Sequence, residues 1–418
     1  MLAETVVREL EDLRQHAERV AEFLARPDQA ALLAEQLHNP DELPRKDLWQ
    51  TCASVVDSLD RVQLIISPSV SLLADCFFGY LPTKALWTAV DARVPDLLAA
   101  HGPQTVEQLA QRAGLQPQRL QQLLDTLAPL GIFAHTTDAT ITNSRASALL
   151  TRDHWAQWHR WADLYGTDFF DASRCMPLAV RAGERRSAAQ LSFDTELSLF
   201  DYMAQTGLAS KFHATLGAGQ VAMAKGFTVD YPWAEIESST SEQQPFIDLG
   251  GGSGALLASV LRAHPRLRGA LMDLGHVVDM VEPDFRSSDG KFADVADRVV
   301  ALHRGNFLES VPPAAVYTMK WCLHDWSDDD VVKVFRVVRR CIDVESAVSR
   351  LVVFEAVKTP KRSGRISRYG DLVMMVTANG QERAEEDWRR LAGAAGWRLA
   401  NVYPLRDAWA AGIELRPI

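Results

Sequence analysis

The sequence predicts a mixed α/β chain, with a doubly wound, Rossmann-like parallel sheet in its C-terminal part and an all-helical, winged-helix N-terminal part. Three observations carry this. From Pro245 onward, apolar runs ("FIDLG", "GALMDL", "RVVALHRGNF", "AVYTMKWCL", "RLVVFEAV") alternate with helical segments, the signature of βα units feeding a parallel sheet. The first run leads into a glycine-rich turn, "DLGGGSGA", with an apolar helix behind it. Before that point apolar residues recur at helical spacing, with one short alternating stretch. The pattern divides the chain into a helical extension (1–60), a winged-helix region (61–150), a helical region (151–240) and a sheet domain (241–418).

Bulk properties narrow the function. At 418 residues and 47% hydrophobic content, the chain can bury its own core without a disulfide or metal staple. Its five cysteines are far apart and form no CxxC pair, which fits a reducing compartment and offers no metal framework. The net charge of −10 and the absence of a basic stripe argue against nucleic acid as a partner. The first 20 residues are too charged for a signal peptide, so a cytoplasmic protein is expected. The apolar stretch from Val62 to Leu81 contains Pro68, Asp75 and several serines; it is expected to form buried helices, not a membrane span.

Along the chain, residues Met1 to Arg26 read as a helix ended by Pro27. Val6, Leu10, Leu13, Ala17, Val20 and Leu24 form an apolar seam that suits either a subunit contact or packing on its own domain. Next, Thr105 and Gln108 match a capping box, Gly114 ends that helix, and Leu120, Leu123, Leu124 and Leu127 form the face of the following one. Gly131 closes it, and "IFAHTTDATITNS" alternates like a hairpin. This winged helix has few cationic residues on its second helix, which favours a structural or dimerising role over DNA binding. Trp155, Trp158 and Trp161 are expected on one helical face, within a helical, aromatic-rich stretch to Lys225.

The glycine turn fits two ligands. Gly250, Gly252 and Ala255 satisfy GxGxxA, a dinucleotide pattern; Asp248, Gly250, Gly252 and Gly254 satisfy DxGxGxG, an adenosylmethionine pattern. In either case bare backbone and helix amides face the ligand, and Asp273, after the next apolar run, is placed for a ribose diol.

Three later segments, "YTMKWCLHDWSDDD", "RLVVFEAV" and "NGQERAEEDWRRLAGAAGW", resemble in order and spacing the small-molecule O-methyltransferases of the plant caffeate type and their fungal and bacterial relatives. The resemblance runs from near Leu81 to the end and is strongest from Phe246 to Trp397. It implies S-adenosyl-L-methionine as cofactor, no metal, and a homodimer whose helical domain roofs the partner's pocket. By the same resemblance Asp248, Gly250, Gly252 and Gly254 cradle the methionine part and Asp273 holds the ribose. Asn306 and Phe307 lie at the adenine, where the family usually has Asp after the glycine. Lys320 touches the cofactor, His324 is the general base, and Glu355 and Glu382 are the carboxylates beside it.

The chemistry supports these roles. A hydroxyl attacking a methyl carbon must lose its proton, and an imidazole takes it near neutral pH. A neighbouring carboxylate orients the ring and stabilises the imidazolium. The expected activity is therefore O-methylation of an aromatic or polyketide-type secondary metabolite. The alternative is a pericyclase or dehydratase of fungal natural-product synthesis, which uses the sulfonium as a fixed charge without methyl transfer. Met203, Phe212, His213, Thr215, Met319 and Met374 are the expected pocket-lining residues.

Overall fold

The computed structural model describes residues 2–25, 35, 37, 39, 41–237 and 245–418. They form two compact units, Met1–Phe23 with Ser58–Ala222, and Leu24–Asp57 with Met223–Ile418. The division therefore falls within the stretch grouped from sequence as 151–240, and part of the extension joins the sheet unit. Specific contacts explain that last point. Buried Arg406 donates to Pro44 O, Lys46 pairs with Asp230 at 3.3 Å, and Asp57 accepts from Ser363 N and Oγ at 2.7 and 2.9 Å.

In the first unit a helix spans Leu2–Leu24. Arg61 donates to Glu9 at 2.6 Å and His16 Nδ1 lies 2.8 Å from Ser58 Oγ, so this helix packs on its own unit. Leu10 stays exposed. Pro27, expected to end the helix, lies outside the described residues. The winged helix forms as the sequence implies. Thr105 and Gln108 complete their capping box, and Gly114 and Gly131 adopt φ of 68° and 78° where the chain must turn left-handed. Strands β1 (Phe133–His135) and β2 (Ile141–Asn143) pair antiparallel over a core containing Leu109, Leu120 and Leu124.

Two expectations fail in this unit. The stretch from Val62 to Leu81 is helical but, beyond the buried Val62, mostly unburied: Ile66, Val70, Leu73, Phe77, Tyr80 and Leu81 are exposed, and helix Ser69–Phe78 buries no residue. Among the described residues no single helix is long and apolar enough to cross a membrane; one bent pair, Lys46–Ile66 with Ser69–Phe78, passes by length and composition only. The three tryptophans also do not share a helix face. Gln157 takes φ 48°, which breaks the chain before helix His159–Gly166 and leaves Trp155 exposed outside it.

The second unit holds, among the described residues, a seven-stranded sheet. Its strands are β3 (Phe246–Leu249), β4 (Gly269–Asp273), β5 (Val299–Arg304), β6 (Val316–Lys320), β7 (Arg350–Glu355), β8 (Trp397–Pro404) and β9 (Ala411–Pro417), in the order β5-β4-β3-β6-β7-β9-β8. The first five are parallel; β9 pairs antiparallel with β7 and with β8. Every residue of β7 is buried, as a central strand covered on both faces requires. Alternation splits its side chains, Val352 and Phe354 to one core and Leu351 and Val353 to the other. The chain leaves β3 towards β4 and β5, then returns beside β3 as β6. The crevice outside the carboxyl ends of β3 and β6 is therefore the topological switch point, where open α/β sheets bind ligands.

Candidate active site

The turn after β3 needs its glycines. Gly250, Gly252 and Gly254 have φ of 66°, 52° and 74°, the left-handed region that side chains resist. A Cβ on Gly254 would lie 2.5 Å from Phe285 Cε2, so this glycine lets the first helical turn of Ala255–Ala263 pack on helix Gly275–Arg286. A Cβ on Gly252 would meet nothing within 4 Å. That bare backbone faces open space, as a ligand cradle requires. A Cβ on Gly250 would lie 3.2 Å from Cys322 Sγ and 3.5 Å from Phe307 Cε1, which places both side chains beside the turn.

Asp273 ends β4 and accepts from Gly252 N at 2.8 Å and from Leu274 N at 2.7 Å. Its carboxylate is thus oriented by the glycine turn and keeps lone pairs for a further donor. Asp248 is buried and accepts from Thr318 Oγ1 at 2.7 Å. Burial pushes it up to about 7, against the Thr318 hydrogen bond and the Lys320 charge. Lys320, at the end of β6, is pushed down to about 8 by burial, with Asp248 and Glu355 opposing. Its ammonium lies over the rings of Trp321 and Phe227, at 4.1 and 5.7 Å from their centroids. Asn306 has a local task. Its Oδ1 accepts from Leu308 N at 3.0 Å and its Nδ2 donates to Glu309 Oε1 at 3.2 Å, an Asx-type turn that presents Phe307.

His324, Glu355 and Glu382 converge. His324 sits in a short 3₁₀ turn, Leu323–Asp325, after β6; Glu355 is the last residue of β7; Glu382 lies in the loop before helix Glu385–Ala394. His324 Nδ1 is 3.1 Å from Glu382 Oε1, in hydrogen-bond geometry, and 3.0 Å from Glu355 Oε2. Glu355 Oε1 accepts from Cys322 N and Leu323 N, both at 2.8 Å. In the neutral ring, two carboxylates on Nδ1 favour the hydrogen on that nitrogen and leave the lone pair on Nε2. Burial works against the imidazolium, but the Glu355 charge and the contacts of both glutamates outweigh it, and His324 is raised well above its ordinary value. Against its own burial, Glu355 is held low by the His324 charge and its hydrogen bonds; burial and the Glu355 charge raise Glu382. The three donor atoms lie within 4.8 Å of one another, a set that could also hold a metal ion. A cation there would displace the Nδ1 hydrogen.

The expected pocket residues separate. Met374 is half-buried on helix Arg365–Ala378, which packs on the His324 turn. Met319 is wholly buried in the core. Strand alternation sends its side chain to the face opposite Thr318 and Lys320, into the core with Leu351 and Val353. Met203, Phe212 and Thr215 are buried in the first unit, and His213 is exposed there.

Sequence reasoning missed Arg383. Beside Glu382, Glu385 and Glu386 it reads as part of a solvated face, yet it is 1% exposed and reaches the His324 turn. The available signal was "NG" immediately ahead: Asn379 takes φ 55° and ends helix Arg365–Ala378, so residues 380–384 form a loop, not a helix face.

Comparison with known proteins gives a consistent result. A family model described as an O-methyltransferase domain matches residues 236–398, and one described as an O-methyltransferase dimerisation domain matches residues 74–153. The chain is 55% identical to the O-methyltransferase gliM of Aspergillus fumigatus over 99% of its own length and 95% of that protein's. It is 48% identical to the O-methyltransferase verK of Clonostachys rogersoniana, over 91% and 93% of the two chains. Among solved structures it is similar to CalO1, a methyltransferase in calicheamicin biosynthesis in its SAH-bound form, with a TM-score of 0.69, 25% identity, and coverage of 84% of this chain and 98% of that one.

Proposed function

The chain belongs to the O-methyltransferase family, and on that premise we propose that it moves a methyl group from S-adenosyl-L-methionine to a hydroxyl of an aromatic or polyketide-type secondary metabolite, with His324 as general base. The observation that carries this is the pairing of His324 Nδ1 with two buried carboxylates, which leaves Nε2 as the one basic ring nitrogen.

The residues fit the cofactor. Gly250, Gly252 and Gly254 offer bare backbone, Asp273 an oriented carboxylate for a diol, Phe307 an apolar ring, and Lys320 a cation beside the turn. When bound, the cofactor supplies an electron-poor methyl carbon on a sulfonium. His324 accepts the hydroxyl proton at Nε2 as the oxygen attacks. Glu355 and Glu382 then stabilise the imidazolium, the form their charges favour. Asp273 is a ribose ligand in this reading. Asn306 contributes at the adenine only through hydrogen-bonding capacity left over from its own turn. Met374 is the retained candidate for contact with the acceptor. The complete base cluster supports methyl transfer; the same base would serve proton removal in a dehydration, so the fate of the label separates this reading from the pericyclase or dehydratase alternative.

The enzyme in this proposal is cytoplasmic and homodimeric. The scattered free cysteines support the first part, and the dimerisation domain at residues 74–153 supports the second. The test is incubation with methyl-labelled cofactor and a panel of phenols. Label on the product supports the proposal; acceptor rearranged without label, with the cofactor intact, supports the pericyclic alternative.

A further inference from the structure

Four consecutive residues, Gly380 to Arg383, all engage the turn that carries His324. A Cβ on Gly380 would lie 2.1 Å from His324 O, so glycine permits the approach. Gln381 N donates to His324 O at 2.8 Å. Glu382 Oε1 lies on His324 Nδ1. Arg383 then encloses the turn: Nη1 donates to Leu323 O at 2.9 Å, Nη2 to Trp326 O at 2.7 Å, and Nε to Asp328 Oδ1 at 2.9 Å. Its guanidinium also lies over the Trp388 ring, 5.5 Å from the centroid.

This turn needs holding. Trp321, just ahead of it, takes φ 49°, a conformation costly for a bulky side chain and sustained only where surrounding contacts over-determine it. Glu355 fixes the front of the turn through the Cys322 and Leu323 amides. Arg383 fixes the carbonyls on either side of His324. A planar fork of donors suits two carbonyls and a carboxylate at once, as an ammonium does not. An ion pair alone would explain only Nε on Asp328; the other two nitrogens go to the main-chain oxygens of Leu323 and Trp326, which bracket His324 and Asp325.

We propose that Arg383 is a positioning residue for the methyl-transfer reaction: it sets the place of His324 Nε2 without touching substrate or cofactor. This rests on the reading of His324 as the base. The experiment compares Arg383→Lys and Arg383→Ala with wild type, measuring kcat, KM, cofactor Kd and the pH–rate profile, with circular dichroism as a folding check. Displacement of the base by about an ångström lowers kcat by about 100-fold. KM and cofactor Kd should stay within about threefold, a shift worth well under 1 kcal/mol. The acid limb of the profile should move to lower pH, because His324 loses its fixed contact with the glutamates. Added guanidinium ion should restore part of the kcat of Arg383→Ala.

The proposal is overturned if folded Arg383→Lys keeps wild-type kcat and profile. It is equally overturned if kcat, KM and Kd worsen together with the profile unmoved, the mark of a merely structural role. Should Arg383→Ala not fold, Arg383→Lys decides alone. His324→Asn in the same assay separates the two claims: if it stays active, the base reading itself has failed, whatever Arg383 does.

Discussion

Glu355 holds His324 twice over: its Oε1 accepts the Cys322 and Leu323 amides that shape the turn, and its Oε2 stands 3.0 Å from the imidazole Nδ1. One carboxylate thus sets both the position of the base and its charge. Glu355→Gln keeps the shape but removes the charge. It should lower kcat by about 10²–10⁴-fold, the usual worth of general-base catalysis. Steady-state kinetics with cofactor Kd as control checks this; Kd should hold.

The pH dependence follows from the raised imidazole. The base works only when neutral, so kcat/KM should climb with pH along a limb centred above the ordinary histidine value of about 6.5. In Glu355→Gln that limb should fall back towards about 6.5. Stability has the opposite sign. Folding favours the imidazolium, so its contribution is complete below about pH 6.5 and is lost as pH rises through the raised value. Chemical denaturation of wild type and His324→Asn across that range should show the difference.

Two glycines of the same turn should respond differently. In Gly254→Ala the new methyl meets Phe285, and the backbone is strained at φ 74°; stability should drop by about 2–3 kcal/mol. In Gly252→Ala the methyl enters open space, so the stability loss is limited to backbone strain of about 1–2 kcal/mol. Its main effect should be on ligand binding, with cofactor Kd rising about tenfold or more for a comparable strain or clash in the complex. Thermal unfolding and calorimetry read the two effects separately.

Met319 and Met374 should respond differently to truncation. Met319→Ala opens the core and should cost about 2–5 kcal/mol of stability with little effect on KM. Met374→Ala should leave the fold stable and shift acceptor KM. Unfolding curves and kinetics on both variants check the assignment.

His324, Glu355 and Glu382 have the composition of a metal site, so chelation is informative. Proton transfer through Nε2 with the hydrogen on Nδ1 needs no cation. Activity should therefore be unchanged after dialysis against EDTA.

Much of the fold, and the glycine turn of the site, were legible because they lie on local patterns. The glycine turn, the closing antiparallel strands and the Thr105 capping box each follow from residues a few positions apart. Glu355 stood out because a carboxylate ending an apolar strand needs a partner. What was not legible depends on contacts distant in sequence. Arg383 reads as solvated until the His324 turn, about 60 residues earlier, is packed onto it. Met319 reads as a pocket residue until strand alternation assigns its face. The apolar residues from Ile66 to Leu81 read as core, although most of them stay exposed. The attachment of residues 41–57 to the sheet unit rests on Arg406, Asp230 and Ser363, which no spacing in the N-terminal sequence announces.

The most direct measurement is single-turnover transfer of labelled methyl from S-adenosyl-L-methionine to an accepted phenol by His324→Asn, with cofactor affinity measured on the same sample. The expected result is transfer slowed by about 10²–10⁴-fold at unchanged cofactor Kd. Transfer at the wild-type rate by this variant would contradict the assignment of His324 as the base.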